Sequence, residues 1–172
     1  MAVLKIARMG HPALMGIASP VSDPLDPEIR RLAADMIDTM RDAPGIGLAA
    51  PQVHVAKRMV IYMVPEGRSD DGQGHPLTVL INPEITVLDE TTESGVEGCL
   101  SLPGMAGQVA RPRHIRVQAL DLDGNGLDYE AEGYHARVVQ HECDHLDGIL
   151  YPMRMTDLAS FGYVEEMTKA PE

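Results

Sequence analysis

The segment "QHECDHLDG" (140–148) sets His141 and His145 four residues apart, with Glu142 directly after the first histidine. On an α-helix, positions i and i+4 lie one above the other, so both imidazoles present to the same side. The HExxH pattern places a carboxylate within reach of water held by a metal. Short patterns recur by chance, and the same residues also read as two surface histidines beside a salt-bridged glutamate. Tyr134 and Val138 precede His141 by seven and three positions and share its face. They form either an apolar wall beside a metal or plain core packing.

Two imidazoles do not complete a catalytic metal site, which takes three protein ligands and keeps one position open. Cys143 lies about 200° around the helix from His141 at ~100° per residue, so it faces away and suits a small buried hydrophobe. Glu165 follows His145 by 20 positions, a spacing of the kind thermolysin-like metalloproteases use for their third ligand. Cys99 is the other candidate, in "EGCLSLPG" (97–104), where Gly98 permits close backbone approach and Pro103-Gly104 turns the chain away. A thiolate with two imidazoles is a recognised donor set for zinc or ferrous iron. Chain geometry leaves both candidates open. A non-catalytic, metal-stabilised binding module would need a fourth protein ligand. His135 suits that role poorly, about 240° from His141 at ~100° per residue.

Two other patterns dissolve in their context. "GIGLAA" (45–50) matches a dinucleotide-binding glycine loop, but a helix precedes it and Pro51 follows, where a strand and a helix are required. "DLDGNGLDYEAE" (121–132) has the spacing of a calcium loop. Its flanks alternate like strands, Asp128 stands where an apolar anchor belongs, and Asp-Gly and Asn-Gly favour a hairpin turn.

The elements that must position these residues follow from periodicity. "DPEIRRLAADMIDTMRDAPG" predicts a helix capped by Asp26, begun by Pro27 and ended by Pro44-Gly45, with apolar residues at 29, 32, 33, 36, 37 and 40. "RMVIYMV" (58–64) predicts a strand buried on both faces, and "PEGRSDDGQGHP" (65–76) a mobile surface loop. "LTVLINPEITVLDE" reads as two strands broken around Asn82-Pro83. "HIRVQALDLDGNGLDYEAEG" reads as a hairpin leading into the helix "GYHARVVQHECDHLDG", and "TDLASFGYVEEMTKA" as a last, weaker helix. The expected architecture is α+β: mixed or antiparallel sheet packed around a central metal-binding helix, in a single catalytic domain spanning 1–172.

Composition narrows the function classes. Lys plus Arg number 14 against 26 Asp plus Glu, a net charge of −12, which excludes a broad electrostatic footprint for nucleic acid. No segment approaches the ~20 apolar residues of a membrane span. Two cysteines are too few for a disulfide framework and point to a reducing, intracellular compartment.

Three segments in this order, "GIGLAAPQV" (45–53), "EGCLSLPG" (97–104) and "QHECDHLDG" (140–148), resemble the three motifs of the peptide deformylase family, and the likeness runs to about Met155. The resemblance implies a cytoplasmic, metal-dependent hydrolase acting on nascent formyl-methionyl polypeptides near the ribosome. It implies Cys99, His141 and His145 as metal ligands and Glu142 as catalytic acid/base. Gln52 and the Leu100 backbone N–H correspond to oxyanion donors, and Gly45, Gly47, Tyr134 and Val138 to residues lining the methionine pocket. Ferrous iron is the implied ion, with zinc, nickel or cobalt able to occupy the same ligands. Relatives often continue "CLSLPG" with an aromatic and an arginine. Met105 and Ala106 stand there instead, which removes one anchor for the peptide.

Overall fold

The computed structural model describes residues 2–70 and 72–169. The first long helix, α1 (Pro27–Asp42), begins where the capping residues place it. Asp26 accepts a hydrogen bond from the Glu28 N–H, and Pro27 occupies the first turn, where its missing N–H costs nothing. Ile29, Ala33, Met36 and Met40 form its buried stripe.

Among the described residues, six strands form one antiparallel sheet. These are β1 (Gly47–Ala49), β2 (Met59–Val64), β3 (His75–Cys99), β4 (Leu102–Leu120), β5 (Gly126–Glu132) and β6 (Gly162–Tyr163). They run in the order β1-β2-β3-β4-β5, with β6 added to the far end of β4. Helix α2 (Gly133–Leu146) follows β5 directly.

The near-continuous apolar run of β2 is explained by its two covered faces. Val60, Tyr62 and Val64 point into a core shared with Val138, Val139 and Leu146 of α2. Met59 and Ile61 point the other way, against Met36 and Met40 of α1. Alternation along the strand thus feeds two cores at once, and no polar face survives. Helix α2 is buried from Ala136 through Leu146, so it sits inside the protein rather than on it. The α+β class and the central helix are as expected, and so is the β4–β5 hairpin, whose turn is held by Asp121 accepting from the N–H groups of Asp123 and Asn125.

Three local expectations are corrected. The segment expected as two strands is one, β3, whose pairing with β4 shifts register between Ile81 and Glu84. Asn82, at φ 51°, is held at that irregularity by a two-way hydrogen bond with Val21, its Oδ1 accepting from the N–H and its Nδ2 donating to the carbonyl. The chain bends there and pairing resumes. The expected last helix shrinks to α3 (Val164–Met167), because the preceding residues enter β6 and pair with Met105 and Ala106. Part of the 65–76 segment is anchored rather than free: Asp70 accepts the Tyr134 N–H at 3.2 Å, capping α2 from across the molecule. No helix among the described residues is long and apolar enough to cross a membrane.

Candidate active site and metal centre

β3 ends and α2 passes where three donors converge. Cys99 Sγ lies 3.4 Å from His145 Nε2, and the donor atoms of Cys99, His141 and His145 all fall within 4.8 Å of one another. Tetrahedral bonds of ~2.3 Å to sulfur and ~2.0–2.1 Å to nitrogen separate such donors by roughly 3.6 Å, so the spacing fits one zinc- or iron-sized ion. The orientation fits as well. His141 Nδ1 lies 2.8 Å from Glu97 Oε2, which leaves Nε2 to face inward. Among the described residues, Cys99 is thus the side chain that joins the two histidines in a group able to hold a metal ion. Glu165 is exposed on α3 and takes no part, and His135 lies 2.9 Å from the Tyr62 hydroxyl instead. Cys143 is buried in the core, as its angle on the helix requires.

Behind these donors stands a buried charge network that the sequence reading missed. Arg111 grips Glu97 with two hydrogen bonds, of 2.6 and 2.9 Å, and donates a third, of 2.8 Å, to Asp144. Arg137 donates to Glu97 at 2.9 Å and to the Val109 carbonyl at 2.7 Å, while Arg154 closes the far side of Asp144. Burial pushes the Glu97 carboxyl up, but the hydrogen bonds from Arg111 and His141 outweigh it and bring it down to about 2. It is therefore a fixed anion at neutral pH, and it orients the His141 ring. A signal was available: Arg137, His141 and Asp144 recur at i, i+4 and i+7 on an otherwise buried helix, and Glu97 shares a strand face with Cys99 two residues on.

Glu142 occupies the opposite side. It is 5% exposed, and its Oε2 has no protein hydrogen-bond partner among the described residues. Burial pushes its carboxyl up to about 7, against the opposing pull of His141. A carboxyl poised there can take and return a proton near neutral pH. Gly47 makes room for it, since a Cβ at that position would fall on the Glu142 carboxylate. At Gly45 a Cβ would come within 2.8 Å of Leu100 Cδ1. Gly45 thus lets the 45–47 strip approach Leu100 closely, and Gly47 leaves room for Glu142, at one cleft between the 45–47 and 98–100 strips.

That cleft opens into a cavity of about 720 Å³ lined by Gly45, Gly47, Gln52, Cys99, Leu100, Tyr134, Val138, His141 and Glu142, and also by Met105, Ala106 and Val164. Every residue expected to do chemistry or line the pocket therefore meets in one place, with His145 just beneath the surface at 1% exposure. Gln52 is locked: its Oε1 accepts from the Ala49 N–H at 2.8 Å, and its Nε2 donates to the Ser101 hydroxyl at 3.1 Å and lies 3.5 Å from Cys99 Sγ. Its amide N–H groups are held beside the sulfur.

The comparisons with known proteins point to one family. The polypeptide deformylase family model matches residues 3–160. Peptide deformylase 1 of Bordetella pertussis is 50% identical over 161 residues, which cover 93% of this chain and 92% of the relative. Peptide deformylase 1 of Prochlorococcus marinus is 45% identical, with 99% and 90% covered. Peptide deformylase from Ehrlichia chaffeensis, solved in complex with actinonin, superposes with a TM-score of 0.85 at 36% identity, covering 93% of this chain and 92% of that one. The class I type b enzyme of Acinetobacter baumannii, solved with Met-Ala-Ser bound, gives 0.83 at 39% identity, covering 90% and 99%. With a sulfur and two imidazoles around one point, a buried carboxyl beside them and matches across nearly its whole length, the chain belongs to the polypeptide deformylase family.

Proposed function

We propose that Cys99, His141 and His145 hold a single divalent ion, ferrous iron in the cell, and that this centre removes the formyl group from the N-terminal methionine of newly made chains. Metal-dependent deformylation is the activity of the family to which the chain belongs. The observation that carries the assignment of residues is the convergence of Cys99 Sγ with two ring nitrogens beside the Glu142 carboxyl, whose Oε2 has no protein hydrogen-bond partner among the described residues. Zinc, nickel or cobalt would fit the same donors.

A divalent ion bound there supplies Lewis acidity, making water a usable nucleophile at neutral pH and polarising the formyl carbonyl. Glu142 accepts the proton of the attacking water and then delivers it to the departing amine, so the products are formate and a free N-terminal amine. Negative charge gathers on the formyl oxygen as the carbon becomes tetrahedral. The Gln52 amide and the Leu100 N–H meet it, and because Ser101 and Ala49 already fix Gln52, little reorganisation is needed. Gly45, Gly47, Tyr134 and Val138 enclose the methionine side chain, and the peptide beyond it runs out along the cleft. The acting unit is one catalytic domain spanning residues 1–172, of which residues 1, 71 and 170–172 lie outside those described. It works in the cytoplasm, where formylated chains leave the ribosome.

Protein purified without oxygen and with its iron retained is expected to release formate from formyl-Met-Ala. Full iron occupancy with no formate would overturn the reading. Gly47→Ala tests the cleft directly. The added methyl displaces the Glu142 carboxylate, and a misplacement of about 1 Å is expected to lower kcat by roughly a hundredfold. Unchanged turnover in that variant would mean that Glu142 acts from elsewhere.

A further inference from the structure

Glu97 fixes where one atom of the His141 ring lies but not the plane of the ring. The torsion that turns an imidazole on its Cβ is broad, and a contact at Nδ1 alone leaves the ring able to swing about it. The plane matters, because Nε2 must aim at the point where Cys99 and His145 converge. The two histidine rings meet there nearly edge-on, with centroids 5.2 Å apart and planes at 81°. Tyr151 supplies the missing restraint. Its ring stacks on that of His141, centroids 6.0 Å apart and planes 25° from parallel, inside the range of about 4.5–7 Å over which aromatic rings pair.

Tyr151 has little freedom to retreat. It opens the turn Tyr151–Arg154, is 1% exposed, and packs in one cluster with Leu102, Val109 and Leu150. Phe161 also meets its ring, at 68° with centroids 6.1 Å apart. The turn is fastened to the helix that carries His141. The Ile149 N–H donates to the Asp144 carbonyl at 2.9 Å, and Arg154 donates to the Asp144 carboxylate at 2.7 and 3.2 Å. The Tyr151 hydroxyl is buried and makes no hydrogen bond among the described residues, so the ring is the part that the site uses.

We propose that Tyr151 is a positioning residue for His141: its ring sets the plane of the imidazole, while Glu97 sets where Nδ1 lies. The inference rests on the reading of Cys99, His141 and His145 as metal ligands. A ring free to tilt presents Nε2 to the ion for a smaller share of the time, so a loosened His141 holds metal more weakly.

The test titrates the zinc-loaded protein with a competing chelator and melts the same preparations. Tyr151→Phe keeps the ring and should hold zinc within about twofold of the unaltered protein. Tyr151→Leu keeps apolar bulk without a plane. It should bind zinc about tenfold more weakly, the lower end of the loss seen when a partner that orients a ligating histidine is removed. Tyr151→Met, a flexible gap-filler, carries the same expectation should the leucine variant fail to fold. Met36→Ala, in the separate core beside α1, is the control for stability alone: its Tm should fall and its zinc affinity should not change. Leucine and methionine variants that hold zinc as tightly as the unaltered protein would overturn the proposal. So would a phenylalanine variant as weak as the leucine one, or an equal loss of zinc affinity in Met36→Ala. Failure of the unaltered protein to bind zinc at all would instead strike at the metal-ligand reading itself.

Discussion

Glu142→Ala is expected to lower formate release by roughly a hundred- to ten-thousandfold while metal content stays at the level of the unaltered protein. The split follows from position. Glu142 neighbours His141 in the chain but is not among the three converging donors, and its Oε2 makes no protein hydrogen bond among the described residues. On the proposed mechanism, removing it takes away a proton carrier and leaves the three converging donors in place. Glu142→Gln should be almost as damaged, since an amide keeps the shape and cannot exchange a proton. Metal analysis and formate assay on the same preparation check both halves. Full turnover in Glu142→Ala would remove this carboxyl from the mechanism.

The second large effect is structural. Glu97→Gln should lower stability by about 3–5 kcal/mol, because it strips the charge from a buried acceptor while the guanidinium groups of Arg111 and Arg137 remain inside. In a chain of this size that corresponds to a fall in Tm of roughly 6–20 °C. The same change removes the anion paired with His141 Nδ1, so metal affinity should drop by about 10–100-fold. Thermal melts with and without metal, together with a metal titration, separate the two consequences. A variant that melts and binds metal like the unaltered protein would show that the network is not coupled to the centre.

Much of the site was legible because its information is local. The four-residue spacing of His141 and His145 needs only helix geometry, and the placement of Cys143 in the core followed from the same angle. The two-faced burial of β2 was readable from its missing polar alternation. What a short window cannot hold is pairing at a distance. Residue geometry alone left Cys99 and Glu165 open, since the choice depends on where β3 ends relative to α2, and only the joint motif pattern favoured Cys99. The expected C-terminal helix failed for the same reason, because β4 offered residues 162–163 backbone partners that the local sequence does not reveal. Asp70 looked like loop composition and proved to be a helix cap contributed from more than sixty residues away.

The central claim is that one sulfur and two imidazole nitrogens share a single ion and leave room for solvent. X-ray absorption at the metal edge of the zinc-loaded protein tests it most directly. The account predicts one sulfur scatterer at ~2.3 Å and two nitrogens at ~2.0–2.1 Å, with the remaining position filled by a light atom from solvent and the sulfur signal absent in Cys99→Ser. A first shell without sulfur, or one saturated by four protein ligands, would contradict it.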